Sequence, residues 1–262
     1  MNIKLQPVID FGMMPIANAF VKRGQIQDEF KYNMVVGYDP QTHAIGLCNT
    51  VPPEKMFHDQ YAFFSSTSRA MKQHFFNTAV RLQPYAKNGL VVEVGSNDGI
   101  MLDAWKQLGI ASIGVEPSGN VANESRKRGH LVISEFMTQQ TVDKILEKGK
   151  VSLVFGANVS CHIEDFVTYL QCVTRLIAKD GVFVFEDPYF LDMVAKTSYD
   201  QVYDEHLWYF TISFINKVLE PLGYHVFDVE HIGVHGGQLR MFVGHKDTFS
   251  RIESVNYWLS LE

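Results

Sequence analysis

The sequence predicts an α/β fold in which a mainly parallel β-sheet is covered by helices on both faces, after a small β-rich and helical N-terminal module. Three observations lead to this prediction. From residue 90 onward, apolar strand-like segments alternate with segments of helical spacing. A glycine turn, Gly95 to Gly99, joins the first of these strands to the first helix. Before residue 86, glycine and proline interrupt the strand-like runs.

The leading module combines short strands with one helix. The run KYNMVVGYDP is typical of a strand that ends in a turn. In SSTSRAMKQHFFNTAVRLQPY the apolar residues recur at helical spacing, which predicts a helix, and Ser66 to Ser68 can cap its start. We therefore expect residues 1–85 to form a separate module that covers the site of the main domain.

Strands and helices alternate along residues 86–262, as expected of a parallel sheet with helical crossovers. The last two strands are expected to pair with each other. One helix, DFVTYLQCVTRLIAKDG, is predicted to end at Gly181. The predicted strands are LVVEVG, ASIGVEP, LVISEF, VSLVFGAN, GVFVFEDPY, YHVFDVEHI and QLRMFVGHK, and the other helices are IMLDAWKQLG, NVANESRKRG, TQQTVDKILEKG and SFINKVLEPLG.

Composition excludes several classes of function. A net charge of −6 argues against a nucleic-acid-binding protein, which needs clustered Lys and Arg. No apolar run approaches the roughly 20 residues of a membrane span, and the start has no signal-peptide pattern. Cys48, Cys161 and Cys172 are few and odd in number, which favours a reduced, cytoplasmic location.

The glycine turn predicts a ligand site, because ligands of open α/β sheets bind at the carboxyl ends of the strands. Dinucleotide sites favour G-x-G-x-x-G, whereas here three residues separate Gly95 from Gly99. Glu93 precedes the turn, and Ser96, Asn97 and Asp98 lie within it. Carboxylates at this point would repel a pyrophosphate and suit the cationic S-adenosylmethionine, so we assign Glu93 and residues 95–98 to that ligand.

Further polar or aromatic residues follow the next strands. Glu116 and Pro117 end the second strand, where a carboxylate can bind ribose hydroxyls. Phe136 follows the third strand and could face the adenine, and Asn158 follows the fourth and could reach the amino acid portion. Together they favour a methyl-donor site, with S-adenosylhomocysteine as product, over an NAD site.

At the level of whole motifs the chain resembles the sugar C-methyltransferase family. These are class I, Rossmann-like enzymes that use S-adenosylmethionine to methylate nucleotide-linked deoxysugars. The resemblance covers nearly the whole chain and implies the same donor, fold and class of acceptor. It is carried by FGMMPIANAF, PPEKMFHDQYAFFSSTSRAMKQHF, VVEVGSNDG, VEPSGNVA, NVSCHIEDF, VFVFEDPY, YDEHLWYF and HGGQLR, in the family's order.

Three departures from the family pattern limit what the resemblance implies. Members usually bind a structural zinc through four cysteines, whereas only Cys48 and His43 are candidates here, so we predict no metal site. Members also carry a further C-terminal α/β domain, whereas this chain stops at Glu262. Gln238 stands where the family tends to have Ser.

Methyl transfer to carbon needs a base to remove a proton beside a carbonyl, and transfer to oxygen needs a base for the hydroxyl proton. Histidine oriented by a carboxylate suits either task. The resemblance implies catalytic or substrate-contacting roles for Tyr203, Glu205 and His206, of which His206 is our first choice as base. His162 and Tyr61 also match active-site positions of the family.

We therefore expect a methyltransferase of carbohydrate biosynthesis that acts on a small molecule, either a sugar nucleotide or a related surface-polysaccharide precursor. Its acceptor site is expected in an excursion near residues 190–212. The alternatives left open are an O-methyltransferase acting on a sugar hydroxyl or phosphoryl-type group, a non-catalytic S-adenosylmethionine-binding protein, and a magnesium-dependent mechanism using Glu186, Asp187 and Asp192. The sequence leaves the oligomeric state open.

Overall fold

The structure is a computed structural model that describes residues 3–17, 20–52, 56, 64–86, 88–234 and 236–262. These residues form a three-stranded sheet followed by a seven-stranded sheet with helices. The architecture confirms the predicted α/β fold with a small β-rich N-terminal part. No helix among the described residues is long and apolar enough to cross a membrane.

The small sheet has the order β1-β2-β3 and is antiparallel. A later part of the chain extends it, because residues 207–209 lie beside β3. The N–H of Leu47 donates to the carbonyl oxygen of Leu207 over 2.9 Å, and the N–H of Tyr209 donates to that of Ile45 over 2.9 Å. The strands are β1 (Gln6–Pro15), β2 (Lys31–Asp39) and β3 (Ala44–Leu47).

The large sheet has the strand order β6-β5-β4-β7-β8-β10-β9. Its first five strands are parallel, while β10 runs antiparallel to both β8 and β9, which confirms the predicted final pair. The strand order reverses between β5-β4 and β7, so the ligand edge lies at the ends of these strands. The strands are β4 (Leu90–Val94), β5 (Ser112–Val115), β6 (Leu131–Ile133), β7 (Val151–Ala157), β8 (Ile177–Pro188), β9 (Tyr224–Ile232) and β10 (Gln238–His245).

Helices cover both faces of this sheet, because two separate buried clusters take alternate residues of the same strands. Val92 and Val94 belong to one cluster, and Val91 belongs to the other. Ser68 begins the first helix, since its hydroxyl accepts the N–H of Met71. The helices are α1 (Arg69–Leu82), α2 (Ile100–Gln107), α3 (Gly119–Lys127), α4 (Gln139–Leu146), α5 (Phe166–Leu176), α6 (Phe190–Lys196), α7 (Ile212–Leu219) and α8 (Glu253–Leu259).

One predicted boundary is wrong. Helix α5 ends at Leu176 rather than at Gly181, and β8 begins at Ile177. Ile177 already pairs with Val151 of β7, so the chain belongs to the sheet from residue 177. The next residue of β8 that pairs with β7 is Val182, five positions later. The apolar spacing of the helix continues into this strand, so only the pairing with β7 marks the boundary.

Candidate active site

The turn between β4 and α2 brings the backbone close to the sheet edge. Gly95 and Gly99 have φ of 66° and 86°, and Asn97 has φ of 47°. A Cβ on Gly95 would lie 2.2 Å from Cγ2 of Val159, so a side chain is excluded at this position. The turn therefore needs glycine for both conformation and close approach, as the sequence suggested.

A cavity of about 530 Å³ opens beside this turn, at the carboxyl ends of β4, β5 and β7. Its volume is that of a typical small-molecule site. Most of the predicted site residues share its wall, although they come from several strand ends and from the segment before α7. Those in the wall are Gly95, Asn97, Glu116, Pro117, Phe136, Asn158, His162, Tyr203, Glu205 and His206.

Glu116 joins the loops after two neighbouring strands. Its Oε2 accepts the N–H of Asn97 over 3.0 Å, and its Oε1 accepts the N–H of Ser118 over 2.8 Å. Burial raises the pKa of Glu116, and these two N–H groups partly offset that rise. Each carboxylate oxygen has a second lone pair, so the group can still accept hydrogen bonds from a ligand in the cavity.

Three residues that we assigned to cofactor contact lie outside the cavity wall. Glu93 is buried beneath the turn, and burial together with nearby Glu116 and Asp98 raises its pKa well above the ordinary value. Asp98 accepts the N–H and hydroxyl of Ser66 and pairs with Arg128 over 3.1 Å. Ser96 is likewise buried, with 1% of its surface exposed. Their direct contact with the cofactor stays a prediction, and the hydrogen bonds of Asp98 show that it also holds the turn against Ser66 and Arg128.

Asn158 is held in a left-handed conformation, with φ of 53°, at the end of β7. Its N–H donates to the carbonyl oxygen of Glu186 over 2.7 Å, and its Oδ1 accepts Nε2 of Gln238. Gln238 is fully buried, and sequence reasoning noted it only as a departure from a family pattern. The pairing of β10 with β8 places it beside Asn158, which no local motif could indicate.

His206 is fixed at both ring nitrogens. Its Nδ1 lies 2.9 Å from the carbonyl oxygen of Gln201, and its Nε2 lies 3.1 Å from the hydroxyl of Tyr203. A carbonyl can only accept, so Nδ1 must carry the proton and Nε2 is the basic nitrogen of the neutral ring. The wall of the cavity therefore contains an oriented proton acceptor.

His162 lies beside His206, with ring centroids 5.2 Å apart and planes at 76°. Burial lowers the pKa of His162 well below its ordinary value, and the neighbouring His206 lowers it further. Nδ1 of His162 is 3.7 Å from Oε2 of Glu205. The predicted catalytic residues are thus together, except for Tyr61, which lies outside the described residues.

The segment around the start of α1 also contributes to the wall, through residues that the sequence analysis did not single out. The N–H of Ser65 donates to Oδ1 of Asn97 over 3.1 Å, and Met71 and Phe75 face the cavity. Their helical spacing was visible, but it predicts only a buried face and not what that face covers.

The three carboxylates named for a magnesium mechanism, Glu186, Asp187 and Asp192, are not part of the described cavity wall. Asp187 is buried and outside the described cavity wall, and Asp192 pairs with His231 over 2.6 Å. Among the described residues, one group of three could hold an ion: Cys161, His162 and His206, whose ligand atoms lie within 4.8 Å of one another. Burial and nearby Asp187 raise the pKa of the Cys161 thiol well above its ordinary value.

The donor set fits S-adenosylmethionine. Glu116 can accept hydrogen bonds from ribose hydroxyls, and Phe136, with 54% of its surface exposed, offers an aromatic face beside them. Gly95 leaves room for close approach to the backbone, and Asn158 also belongs to the wall. No side chain of the cavity wall that the structure describes is Lys or Arg, the residues that would favour a diphosphate.

Comparisons with known proteins identify relatives of this chain and structures that share its fold. The C-methyltransferase NovU of Streptomyces niveus is 29% identical over 240 residues, which are 90% of this chain and 57% of that protein. This chain therefore spans less than two thirds of the length of that relative.

Magnesium protoporphyrin IX methyltransferase of Synechocystis PCC 6803, solved with bound SAH, has a TM-score of 0.52 at 14% identity, covering 66% of this chain and 81% of that one.

The CcbJ methyltransferase of Streptomyces caelestis shares the fold in the same way, with a TM-score of 0.52 at 13% identity, covering 64% of this chain and 88% of that one. Residues 2–57 match a family described as "Putative zinc binding domain". Residues 68–229 match the family described as "Methyltransferase domain". Because that match spans more than half of the chain, the protein belongs to the methyltransferase-domain family, whose methyl donor is S-adenosylmethionine.

Proposed function

We propose that the enzyme methylates a sugar nucleotide or a related surface-polysaccharide precursor, with His206 as the general base. The family resemblance of the motifs supports this acceptor class. The name of the relative, a C-methyltransferase, supports carbon as the methylated atom. The observation that carries the proposal is the fixed His206 ring, which shares a cavity wall with the cofactor residues.

The bound cofactor would supply an electrophilic methyl group. The chain then has to hold the acceptor and remove one of its protons. The carbonyl oxygen of Gln201 keeps the proton on Nδ1 of His206, so the acceptor's proton goes to Nε2. For a carbon acceptor that proton comes from the C–H beside a carbonyl. The Tyr203 hydroxyl donates to the lone pair of Nε2 before transfer and has to turn away from it to admit the proton, after which its oxygen can accept a hydrogen bond from the protonated ring.

His162 has a different role in the proposal. Its lowered pKa keeps the ring neutral at physiological pH, so it can donate or accept a hydrogen bond without adding charge. Glu205, 3.7 Å from its Nδ1, is suited to orient it. The pair would position the acceptor's oxygen substituents beside His206.

Charge in the wall restricts how a nucleotide-linked acceptor enters. Five carboxyl side chains and no Lys or Arg belong to the described wall, so a diphosphate inside it would be repelled. The sugar would enter the cavity while its phosphates remain outside. The five are Glu116, Glu135, Glu164, Asp200 and Glu205.

The direct test is mass spectrometry of products after incubation with isotopically labelled donor and a panel of sugar nucleotides and polysaccharide precursors. We expect a labelled methyl group on one class of sugar nucleotide. In deuterated water, exchange at the carbon beside a carbonyl favours carbon transfer over oxygen transfer, and fragmentation of the labelled product identifies the methylated atom. Donor binding with no methylated sugar in the whole panel would contradict the acceptor proposal.

A variant of His206 tests its assignment as the general base. We expect His206→Ala to lower kcat by about 10² or more, because the oriented proton acceptor is lost. His245→Ala is the matched control, since His245 lies outside the described cavity wall and contacts Asp247 instead. Wild-type turnover by His206→Ala would remove the assignment.

A further inference from the structure

The peptide of Cys161 is a junction between three parts of the site. Its N–H donates to Oδ1 of Asp187 over 3.2 Å. Its carbonyl oxygen accepts the N–H of Leu207 over 2.8 Å and that of Trp208 over 3.2 Å. His162 follows Cys161 directly, and His206 precedes Leu207, so both histidines are one residue from this junction.

Asp187 lies at the other end of the junction, near the end of β8. Only 1% of its surface is exposed, and it is absent from the described cavity wall. Burial raises the pKa of Asp187 to about 7, although the neighbouring groups of Cys161 and Ser160 lower it. Burying a carboxyl group costs free energy. A carboxyl kept at this point therefore needs a function, and its main-chain contacts are with the turn at Ser160 and Cys161.

We propose that Asp187 is a positioning residue for the reaction: through the Cys161 peptide it sets where the rings of His162 and His206 stand. The proposal rests on the proposed function for the role of His206 as base. Asp187 holds residues 160–162 against the end of β8 through the N–H of Cys161. The carbonyl oxygen of Cys161 then holds residues 207 and 208 through their N–H groups. A shift at Cys161 therefore reaches both imidazoles, although Asp187 touches neither substrate nor cofactor in this arrangement.

The size of the effect follows from geometry. Displacing a catalytic group by about 1 Å can cost about 10² in rate. We expect Asp187→Ala to lower kcat at least about tenfold, and to leave the dissociation constant of S-adenosylhomocysteine within about threefold. Glu116, Gly95 and Asn97, which we assign to the donor, lie in the described cavity wall, whereas Asp187 lies outside it. Asp187→Asn keeps an acceptor oxygen of lower strength, so its kcat should be intermediate.

A spectroscopic readout separates positioning from a general loss of stability. In protein labelled with ¹⁵N-histidine, we expect Asp187→Ala to shift the ring signals of both His162 and His206, and to leave those of His225 and His245 in place. The matched control is Asp165→Ala. This carboxylate also accepts a main-chain N–H, that of Thr168 over 3.0 Å, on the same loop, but it does not contact the junction.

The ring signals need no acceptor, so they test this proposal even if no sugar is methylated. Unmoved His162 and His206 signals in Asp187→Ala, or equal shifts in Asp165→Ala, would overturn it. Should Asp187→Ala fail to fold, Asp187→Asn is expected to show the same two shifts at smaller size. Unchanged rings and unchanged kcat in that variant would overturn the proposal equally.

Discussion

Gly46 offers a test of how the small N-terminal sheet supports the acid–base segment. It forms a bridge with Trp208, two residues after His206. A Cβ on Gly46 would lie 2.3 Å from the carbonyl oxygen of Leu207 and 2.9 Å from Cε3 of Trp208. Gly46→Ala must therefore push residues 207 and 208 away from β3, because the first contact is with main chain that cannot rotate aside.

The expected magnitude follows from the hydrogen bonds at risk. Two main-chain bonds join β3 to this segment, from Leu47 to Leu207 and from Tyr209 to Ile45, each 2.9 Å long. A net contribution of about 0.5–1.5 kcal/mol each gives about 1–3 kcal/mol for holding the segment in register. If the activation free energy of the reaction rises by this amount, kcat falls roughly 5- to 150-fold.

The assay compares kcat with donor binding. We expect Gly46→Ala to lower kcat while calorimetry with S-adenosylhomocysteine stays near wild type, since Gly46 is outside the described cavity wall. Gly24→Ala is the matched control in the same module, because a Cβ there meets nothing within 4 Å. Full activity of Gly46→Ala, or an equal loss in Gly24→Ala, would refute the reasoning.

Three further changes test other parts of the structure. Glu116→Gln should weaken S-adenosylhomocysteine binding by calorimetry about tenfold or more, because hydrogen bonds to a charged acceptor are lost; unchanged affinity would contradict its role. Glu93→Gln should melt at a higher temperature than wild type, and this difference should grow as pH rises from about 4 to about 8. The reason is that the unfolded wild-type chain releases a proton from Glu93 that the native protein retains, which costs the wild type stability. A difference that stays constant with pH would argue against the raised pKa. Ser68→Ala should cost about 0.5–2 kcal/mol in denaturant unfolding, through loss of the α1 cap, and an unchanged midpoint would exclude that contribution.

Much of the main domain could be predicted because its strands are buried on both faces. Val151–Ala157 is an almost continuous apolar run, and such runs between helical segments indicate a parallel sheet. The glycine turn was visible for a similar reason: Gly95 has no alternative in a backbone that approaches Val159 this closely. Local patterns were sufficient for both features.

The orientation of side chains around the turn could not be predicted locally. Asp98 faces Ser66 and Arg128, which lie about 30 residues away in opposite directions along the chain. Glu93 is adjacent in sequence to cavity residues, but the alternation of a strand turns it beneath the turn. Both carboxylates looked available for a ligand because the sequence does not show which face is covered.

The bridge that Glu116 makes between Asn97 and Ser118 has a consequence for turnover. The carboxylate of Glu116 holds together the two loops that follow β4 and β5. A nucleoside bound at Glu116 would therefore lie against both loops. The hydrogen bonds that join Glu116 to Asn97 and Ser118 do not involve the ligand, so the two loops stay joined when the product leaves and the site keeps its shape for the next molecule of donor.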